Sequence, residues 1–306
     1  MNNNTKTFKY LFAVLLYGTI GYFLHYVDAA SEFVVMCRGL IGSIFIFVVM
    51  IIRKQLPDIQ AIKKNLFMLV LSGVALGLNW IFLFAGYRYA VAITSLINYL
   101  APMMVVVISA LYLKEKLTKK QLICLALSLL GIILVSGLFD GEISADIHCF
   151  VYGFLAAIGF VVLVLCNRKI HDIKPLDKTV VQLFASFLTV LPFVLINHSI
   201  PEHLDVNSML IVCMLGVVHT GIAYILYFSS IDTLPVSEVA IVGYLEPVLS
   251  ILTGAIIFDE KVTVFGGIGA LLILLSAMAS ELLNIEEWKY LHEKKFIFMK
   301  IIDIFS

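Results

Sequence analysis

This chain contains one segment twice, and the two copies align without a gap at an offset of 145 residues. When residues 91–136 are placed over residues 236–281, the run Tyr99-Leu100-Ala101-Pro102 falls on Tyr244-Leu245-Glu246-Pro247. Chance rarely repeats a proline inside an apolar run, followed by a charged turn, at a single offset. The repeat therefore predicts two structurally related halves. In duplicated membrane proteins, such halves place a binding site along the seam between them.

The composition excludes a soluble globular protein of this size. Of the 306 residues, 61% are hydrophobic and only 14% are charged, and the mean hydropathy is +1.04. Globular domains are about 25% charged. Crossing a hydrocarbon core about 30 Å thick takes about 20 helical residues, and this chain offers ten apolar segments near that length. They cover residues 8–27, 32–52, 65–87, 90–113, 119–138, 148–166, 178–197, 207–230, 235–258 and 262–284.

The uneven distribution of charge orients these helices. With the N-terminus inside, nearly all of the 21 Lys and Arg residues fall on the inner side, and the outer loops carry mainly Asp and Glu. The positive-inside rule then places both termini in the cytoplasm. Five helices per half is an odd number, so the second half must be inserted upside down. We therefore predict an all-α protein of the plasma (inner) membrane, with ten transmembrane helices as two inverted five-helix repeats.

The predicted domains are residues 1–138 for the first repeat, residues 139–284 for the second repeat and residues 285–306 for a tail. The tail is too short and too charged to span a membrane, and its lysines are interspersed with aromatic residues. We predict a cytoplasmic amphipathic segment that lies on the inner leaflet, with a frayed end as the alternative.

A second part of the repeated motif carries a family resemblance. Glu115-Lys116-Leu117-Thr118 ends the first copy, and Glu260-Lys261-Val262-Thr263 ends the second. With the Tyr-Leu-x-Pro runs and the ten predicted helices, this pattern resembles the EamA family of the drug/metabolite transporter superfamily over nearly the whole chain. The resemblance implies a carrier of small molecules, often outward, but members carry amino acids, other metabolites and drugs. We predict that Glu115 and Glu260 are turn and capping residues.

Glu246 is the first candidate for the substrate site. It lies near the middle of the predicted ninth helix, where an ionised carboxyl facing lipid would be costly, so it should face the bundle interior. There it could bind a substrate ammonium group or take up a coupling proton, and a hydrogen bond between helices is the structural alternative. Pro102 and Pro247 lie mid-helix in this prediction and are hinge candidates, with a purely architectural kink as the alternative.

Polar and aromatic side chains of neighbouring helices extend the predicted substrate site. An aromatic wall with a few amides and hydroxyls suits a small amphipathic ligand, and interhelical hydrogen bonding with core packing is the competing interpretation. These candidates are Asn79, Trp80, Asn98, Tyr99, Tyr224 and Tyr244.

Two basic side chains complete the candidates. Arg38 lies below the outer end of the second helix, where it could attract a substrate carboxylate or extend outward to the interface. His219 lies within the eighth helix and is a second coupling-proton candidate, although a lone buried histidine is more often a core group.

The leading hypothesis is a secondary transporter that moves a small metabolite, such as an amino acid, by alternating access, with export as the expected direction. The alternative within transport is an efflux carrier for drugs and organic cations. The distant alternative is an integral-membrane lipid-modifying enzyme, which would need clustered carboxylates or a nucleophile with its base. We expect no catalytic residue, metal, cofactor or nucleic-acid partner. The expected partners are the small-molecule substrate and the lipid bilayer, and a homodimer stays open.

Overall fold

The computed structural model describes residues 3–113, 118–135, 146–230, 234, 239, 242–260, 262–279 and 282. Over these residues the secondary structure is helical, and they contain no strand. The predicted tail at residues 285–306 and the turn that contains Glu115 lie outside the described residues. The prediction of an all-α protein is therefore confirmed for the described part of the chain.

The helices follow one another with short connections, and two of them pass into π-helical segments. They are α1 (Asn3–Gly18), α2 (Ile20–His25), α3 (Ser31–Ile52), α4 (Ile59–Tyr87), α5 (Val91–Asn98), α6 (Ala101–Leu113), α7 (Lys119–Val135), α8 (Ile147–Asn167), α9 (Pro175–Ile196), α10 (Val206–Gly216), π1 (Val217–Ile222), α11 (Ala223–Phe228), α12 (Leu245–Leu252), π2 (Thr253–Ile257) and α13 (Val264–Ala279).

Six of the described helical stretches are long and apolar enough to cross a membrane, so this is a multi-pass membrane protein. Shorter apolar helices cover Val91–Val105, Leu245–Ile257 and Val264–Ala279. The count of ten spans stays a prediction. The six long stretches are Thr5–His25, Ser31–Ile52, Ile59–Tyr87, Ile147–Asn167, Pro175–Ile196 and Val206–Phe228.

Local chemistry explains where several helices begin. The Asp58 side chain accepts hydrogen bonds of 3.0 Å from two backbone N–H groups in the first turn of α4. Asp146 and Asp205 cap α8 and α10 in the same way, and Pro175 occupies the first turn of α9. Such caps satisfy N–H groups that have no partner within the helix. Hydrogen bonds from Ser208 hold the pKa of Asp205 below its usual value.

The repeated proline motif lies at helix breaks rather than within continuous helices. The chain leaves α5 after Asn98 and starts α6 at Ala101, so Pro102 is the second residue of α6. Pro247 likewise lies in the first turn of α12. Proline is well tolerated in a first turn, because its missing N–H would have no helical partner there. The expected mid-helix kink is thus a helix break, and the repeated tyrosines Tyr99 and Tyr244 lie in the two breaks.

Helices of the two halves pack directly against each other, with α3 against α9 and α4 against both α8 and α9. Glycine permits the closest approach: a Cβ atom built on Gly73 of α4 would lie 2.6 Å from the Gln182 carbonyl oxygen of α9. The largest buried cluster lies along this interface and includes Ile46, Trp80, Phe84, Leu183 and Leu215. The core therefore lies between the halves rather than within either one.

Several contacts between the halves come in matched pairs: where two residues touch, the residues 145 positions away in the other repeat also touch. The rings of Tyr99 and Tyr244, which are repeat mates, lie 6.0 Å apart between centroids. Ser128 of α7 hydrogen-bonds Ser276 of α13 at 2.6 Å. The mates of that pair, Ile273 and Gly131, also touch: a Cβ atom on Gly131 would lie 2.7 Å from the Ile273 side chain. Reciprocity of this kind is what a twofold axis produces.

Glu260 joins the two halves at the predicted outer face. Its carboxyl oxygens accept hydrogen bonds from the backbone N–H groups of Val91 at 2.7 Å and Ala92 at 3.1 Å. Glu260 is a capping residue, as predicted, but it caps α5 and not the helix that follows it. Burial raises the pKa of Glu260, against the opposing effect of these two hydrogen bonds.

Candidate functional site

Arg38 of α3 is buried in the middle of the protein, with 1% of its surface exposed. Its guanidinium lies over the ring of Trp80, 4.2 Å from the centroid, and 5.1 Å from that of Phe84. The Nε–H donates to the Thr220 hydroxyl at 3.0 Å. The Nη1 nitrogen is buried and has no hydrogen-bond partner among the described residues. Arg38 also forms no ion pair with a carboxylate in that part of the chain.

Thr220 is held in place by an irregular helix. It lies in π1, where its hydroxyl donates to the Leu215 carbonyl at 2.9 Å while accepting from Arg38. The wider π turn brings a carbonyl five residues back within reach of this side chain. Segments of π-helix occur frequently at functional sites.

Glu246, the predicted acidic residue of the substrate site, lies in the first turn of α12. Its carboxyl group is close enough to the Tyr99 hydroxyl to interact with it. Glu246 and Arg38 interact electrostatically without forming an ion pair. A cationic and an acidic group therefore lie near each other without an ion pair among the described residues, and the Nη1 of Arg38 has no hydrogen-bond partner there.

Tyrosine side chains from three further helices lie near Arg38 and Glu246. Tyr17, Tyr87 and Tyr224 each interact electrostatically with both Arg38 and Glu246. The rings of Tyr17 and Tyr224 are 5.8 Å apart between centroids. Ser95 donates to the Tyr87 hydroxyl at 3.0 Å, whereas the buried Tyr17 hydroxyl has no partner among the described residues. We call Arg38, Glu246 and these three tyrosines, together with Trp80 and Tyr99, the central site.

Two of the predicted amides bond to each other. Asn79 donates to the Asn98 side-chain oxygen at 3.2 Å and to the Ala156 carbonyl at 2.8 Å. Asn79 is 4% exposed, and these bonds connect α4, α5 and α8. Hydrocarbon offers no hydrogen-bond partner for an amide, so partners inside the protein are needed, and Asn98 and the Ala156 carbonyl provide them for Asn79. The structure thus gives both residues an interhelical hydrogen bond, and their role in substrate binding stays a prediction.

His219 lies in π1 beside Thr220. Its Nε2 is 3.2 Å from the Thr19 hydroxyl, and the Phe23 ring meets it edge-on at 5.1 Å between centroids. Its buried Nδ1 has no partner, and no hydrogen bond joins it to Glu246, as far as the described residues go. The two coupling-proton candidates therefore have separate surroundings.

Sequence reasoning missed Tyr17 and Tyr87. Tyr87 ends α4, where an aromatic residue usually anchors a helix in the headgroup region. Tyr17 lies near the middle of the apolar stretch Thr5–His25, where an aromatic residue is typical of core packing. Only the packing of α1 against α12 in three dimensions brings Tyr17 near Glu246. The described residues contain no group of three or more His, Cys, Asp or Glu that could hold a metal ion. The expected absence of a metal stays a prediction.

Comparisons with known proteins bear on the family and on the fold of this chain. The model of the EamA-like transporter family matches residues 6–137 and 145–280. Uncharacterized transporter YxxF of Bacillus subtilis (strain 168) is 23% identical over 273 residues, which is 88% of this chain and 87% of that protein. Protein PecM of Dickeya dadantii (strain 3937) is 22% identical over 262 residues, covering 85% of this chain and 86% of its own.

A third relative carries a more specific name. The probable amino-acid metabolite efflux pump of Escherichia coli (strain K12) is 23% identical over 212 residues, covering 63% of this chain and 69% of that protein. A solved crystal structure superposes with a TM-score of 0.62 at 18% identity, over 91% of this chain and 98% of its own. That likeness bears on the fold alone. Because the family model spans most of the sequence, this chain belongs to the EamA-like transporter family.

Proposed function

We propose that this transporter exports a small zwitterionic metabolite of the amino-acid class. The observation that carries the proposal is the buried guanidinium of Arg38, whose Nη1 has no partner among the described residues. Arg38 also interacts electrostatically with Glu246 without forming an ion pair in that part of the chain. A guanidinium presents a planar fork of donors that matches a carboxylate. Arg38 would receive the substrate carboxylate, and Glu246 would receive its ammonium group.

The energetics of burial support this assignment. A buried donor without a partner costs about 1–3 kcal/mol, and more if it is charged. A carboxylate that enters the site would remove that penalty at Arg38 and gain a charge-assisted hydrogen bond in a region shielded from water. The donor without a partner therefore makes the substrate-free protein less stable around Arg38 than the substrate-bound protein.

The walls of the central site restrict the rest of the substrate. Trp80 is covered on one face by the Arg38 guanidinium, and Tyr17 and Tyr224 line another side. Aromatic walls favour an apolar group attached to the zwitterion. Branched-chain and aromatic amino acids are the probes that follow from this reasoning.

Alternating access would operate through two inverted repeats, residues 1–138 and 139–284, with ten transmembrane helices in all. The contact of Tyr99 with its mate Tyr244 and the reciprocal contacts of α7 with α13 support a twofold axis through the central site. Two halves related in this way can exchange conformations around a fixed site. The helix breaks before Pro102 and Pro247 are the proposed hinges.

The proposed orientation puts both termini in the cytoplasm of a cell and the transporter in its plasma membrane. Its support is the concentration of Lys and Arg on one predicted side. Export as the direction is supported by the name of the Escherichia coli relative, an efflux pump for amino-acid metabolites.

Counterflow in proteoliposomes tests the proposal. Vesicles preloaded with one unlabelled amino acid of a panel are diluted into the radiolabelled form, and wild type is compared with Glu246→Gln. Uptake by wild type alone is the expected result. Equal uptake by both proteins would remove Glu246 from the site, and a lack of uptake across the whole panel would contradict the proposed substrate class.

Efflux of organic cations is the second candidate. Glu246 among tyrosines is the arrangement that favours it, because a carboxylate and aromatic faces both attract cations. The buried Arg38 guanidinium disfavours it, since a cationic substrate would be repelled at close range. Uptake of tetraethylammonium without uptake of any amino acid would support this candidate.

A further inference from the structure

We propose that a second binding site for zwitterions lies in a cavity between the predicted cytoplasmic ends of α3, α9 and α11, where a substrate is captured before it reaches the central site. This inference rests on the proposed function. The cavity has a volume of about 300 Å³ and is lined by Arg53, Lys174, Asp177, Phe228 and Ser229, among others. We call it the vestibule.

Asp177 supplies the acidic group of the vestibule. It is 1% exposed, and one carboxyl oxygen accepts a 3.0 Å hydrogen bond from the Asp58 backbone N–H. The other oxygen, Oδ1, is buried and has no partner among the described residues. A buried carboxylate oxygen of this kind gains stability from a cationic donor. An ammonium group in the vestibule would provide one.

Arg53 and Lys174 supply the cationic groups at the mouth of the same cavity. Both side chains are solvent-exposed, and both residues line the vestibule. Phe228 and Met50 form part of its apolar wall. The vestibule therefore resembles the central site in combining cationic, acidic and aromatic side chains in one region.

An aromatic contact connects the two sites. The ring of Phe228 stacks on that of Tyr224, with centroids 5.8 Å apart and planes at 12°. These residues are four apart on α11 and so share one face of the helix. Tyr224 belongs to the central site, so the vestibule lies one helical turn from it. A substrate could pass from the vestibule along this face to Arg38.

A capture site at this position would raise the rate of loading more than the final affinity. The exposed cations at the mouth of the vestibule would attract the carboxylate end of the zwitterion at short range, and salt screens that attraction. Neutralising Arg53 and Lys174 together should raise the KM for cytoplasmic substrate about fivefold at low salt. The maximal rate, which depends on the central site, should change little.

Site-directed labelling tests the vestibule without relying on transport. Ser229→Cys places a thiol on the vestibule wall, where the residue is exposed. The labelling rate with a charged methanethiosulfonate is measured in nanodiscs, and the parent protein gives the background from its own five cysteines. We expect L-leucine to slow labelling several-fold. L-Leucinamide, which lacks the carboxylate, and 4-methylpentanoate, which lacks the amine, should protect less.

Two further variants test whether ligand in the vestibule or in the central site slows the labelling. Arg38→Met, which disables the central site, should leave protection of the cysteine intact, whereas Arg53→Gln with Lys174→Gln should abolish it. The reverse pattern, or no protection by any of the three compounds, would overturn the second site. Counterflow on the same preparations separates the two proposals. Uptake without protection contradicts the vestibule alone, and protection without uptake contradicts the transport function alone.

Discussion

Replacing Arg38 by Met should abolish transport while leaving the substrate-free protein at least as stable as wild type. Most buried residues behave in the opposite way, because their removal destabilises the fold. Arg38 differs because its guanidinium is 1% exposed and its Nη1 has no hydrogen-bond partner among the described residues. Methionine has a similar length and no charge, and its sulfur makes favourable contacts with aromatic rings such as that of Trp80.

The expected magnitude follows from the contacts that change. The variant loses the hydrogen bond to Thr220, worth about 1.5–3 kcal/mol for a charged donor, and a desolvated cation–π contact worth about 2 kcal/mol. It regains the desolvation free energy of a buried guanidinium, which is several kcal/mol, and a sulfur–aromatic contact of up to about 1.5 kcal/mol. The net change in the free energy of unfolding should lie between zero and about 2 kcal/mol of stabilisation.

The cost to transport should be much larger. Losing one partner of a buried, hydrogen-bonded charge pair costs about 2–5 kcal/mol, so kcat/KM for a zwitterion should fall at least about 30-fold. The assays are thermal unfolding in nanodiscs without substrate and counterflow in proteoliposomes. Lys63→Met, at an exposed cation of α4, is the matched control and should change neither. A lowered unfolding temperature together with undiminished transport would refute the reasoning.

Three further predictions concern stability. Glu260→Ala removes the acceptor for the Val91 N–H and should destabilise the protein by about 1–2 kcal/mol in thermal unfolding. An unchanged unfolding temperature would show that the cap contributes nothing. Gly131→Ala puts a Cβ atom 2.7 Å from the Gly269 carbonyl oxygen and should lower the free energy of unfolding by about 1–3 kcal/mol in the same assay. An unchanged unfolding temperature would mean that α7 and α13 move apart at no cost. Because the folded-state pKa of Asp205 is depressed, its cap stabilises above the unfolded pKa of about 4 and is lost as pH falls through the folded pKa. Asp205→Ala should therefore lower the unfolding temperature near neutral pH and have no effect in strong acid, whereas an equal effect at both would contradict the cap.

Sequence alone predicted the parts of the central site that follow from the cost of charge in a membrane. Glu246 and Arg38 stand out because an ionisable group inside an apolar helix must face protein or water. The repeat then connects Tyr99 with Tyr244, and their rings do touch. Which acidic and basic groups share one space could not be predicted from a single sequence, because helix rotation and tilt are set by packing.

The remaining differences arise from backbone geometry. Pro102 could be read as a kink inside one helix, but the chain instead leaves the helix at Tyr99 and starts another at Ala101. The π turn that positions Thr220 beside Arg38 has no sequence signature. Asn98 is an amide that needs a partner in an apolar helix, and the close approach of α4 and α5 lets Asn79 donate a hydrogen bond to its side-chain oxygen.

The most direct test of the account is counterflow of a matched set of compounds by wild type, Arg38→Met and Glu246→Gln. L-Leucine carries both charges, L-leucinamide lacks the carboxylate, and 4-methylpentanoate lacks the amine. If Arg38 binds the carboxylate and Glu246 the ammonium group, wild type should prefer L-leucine. Arg38→Met should no longer distinguish L-leucine from its amide, and Glu246→Gln should no longer distinguish it from the acid. If both variants instead change the uptake of all three compounds in the same proportion, the zwitterion is not held between these two residues.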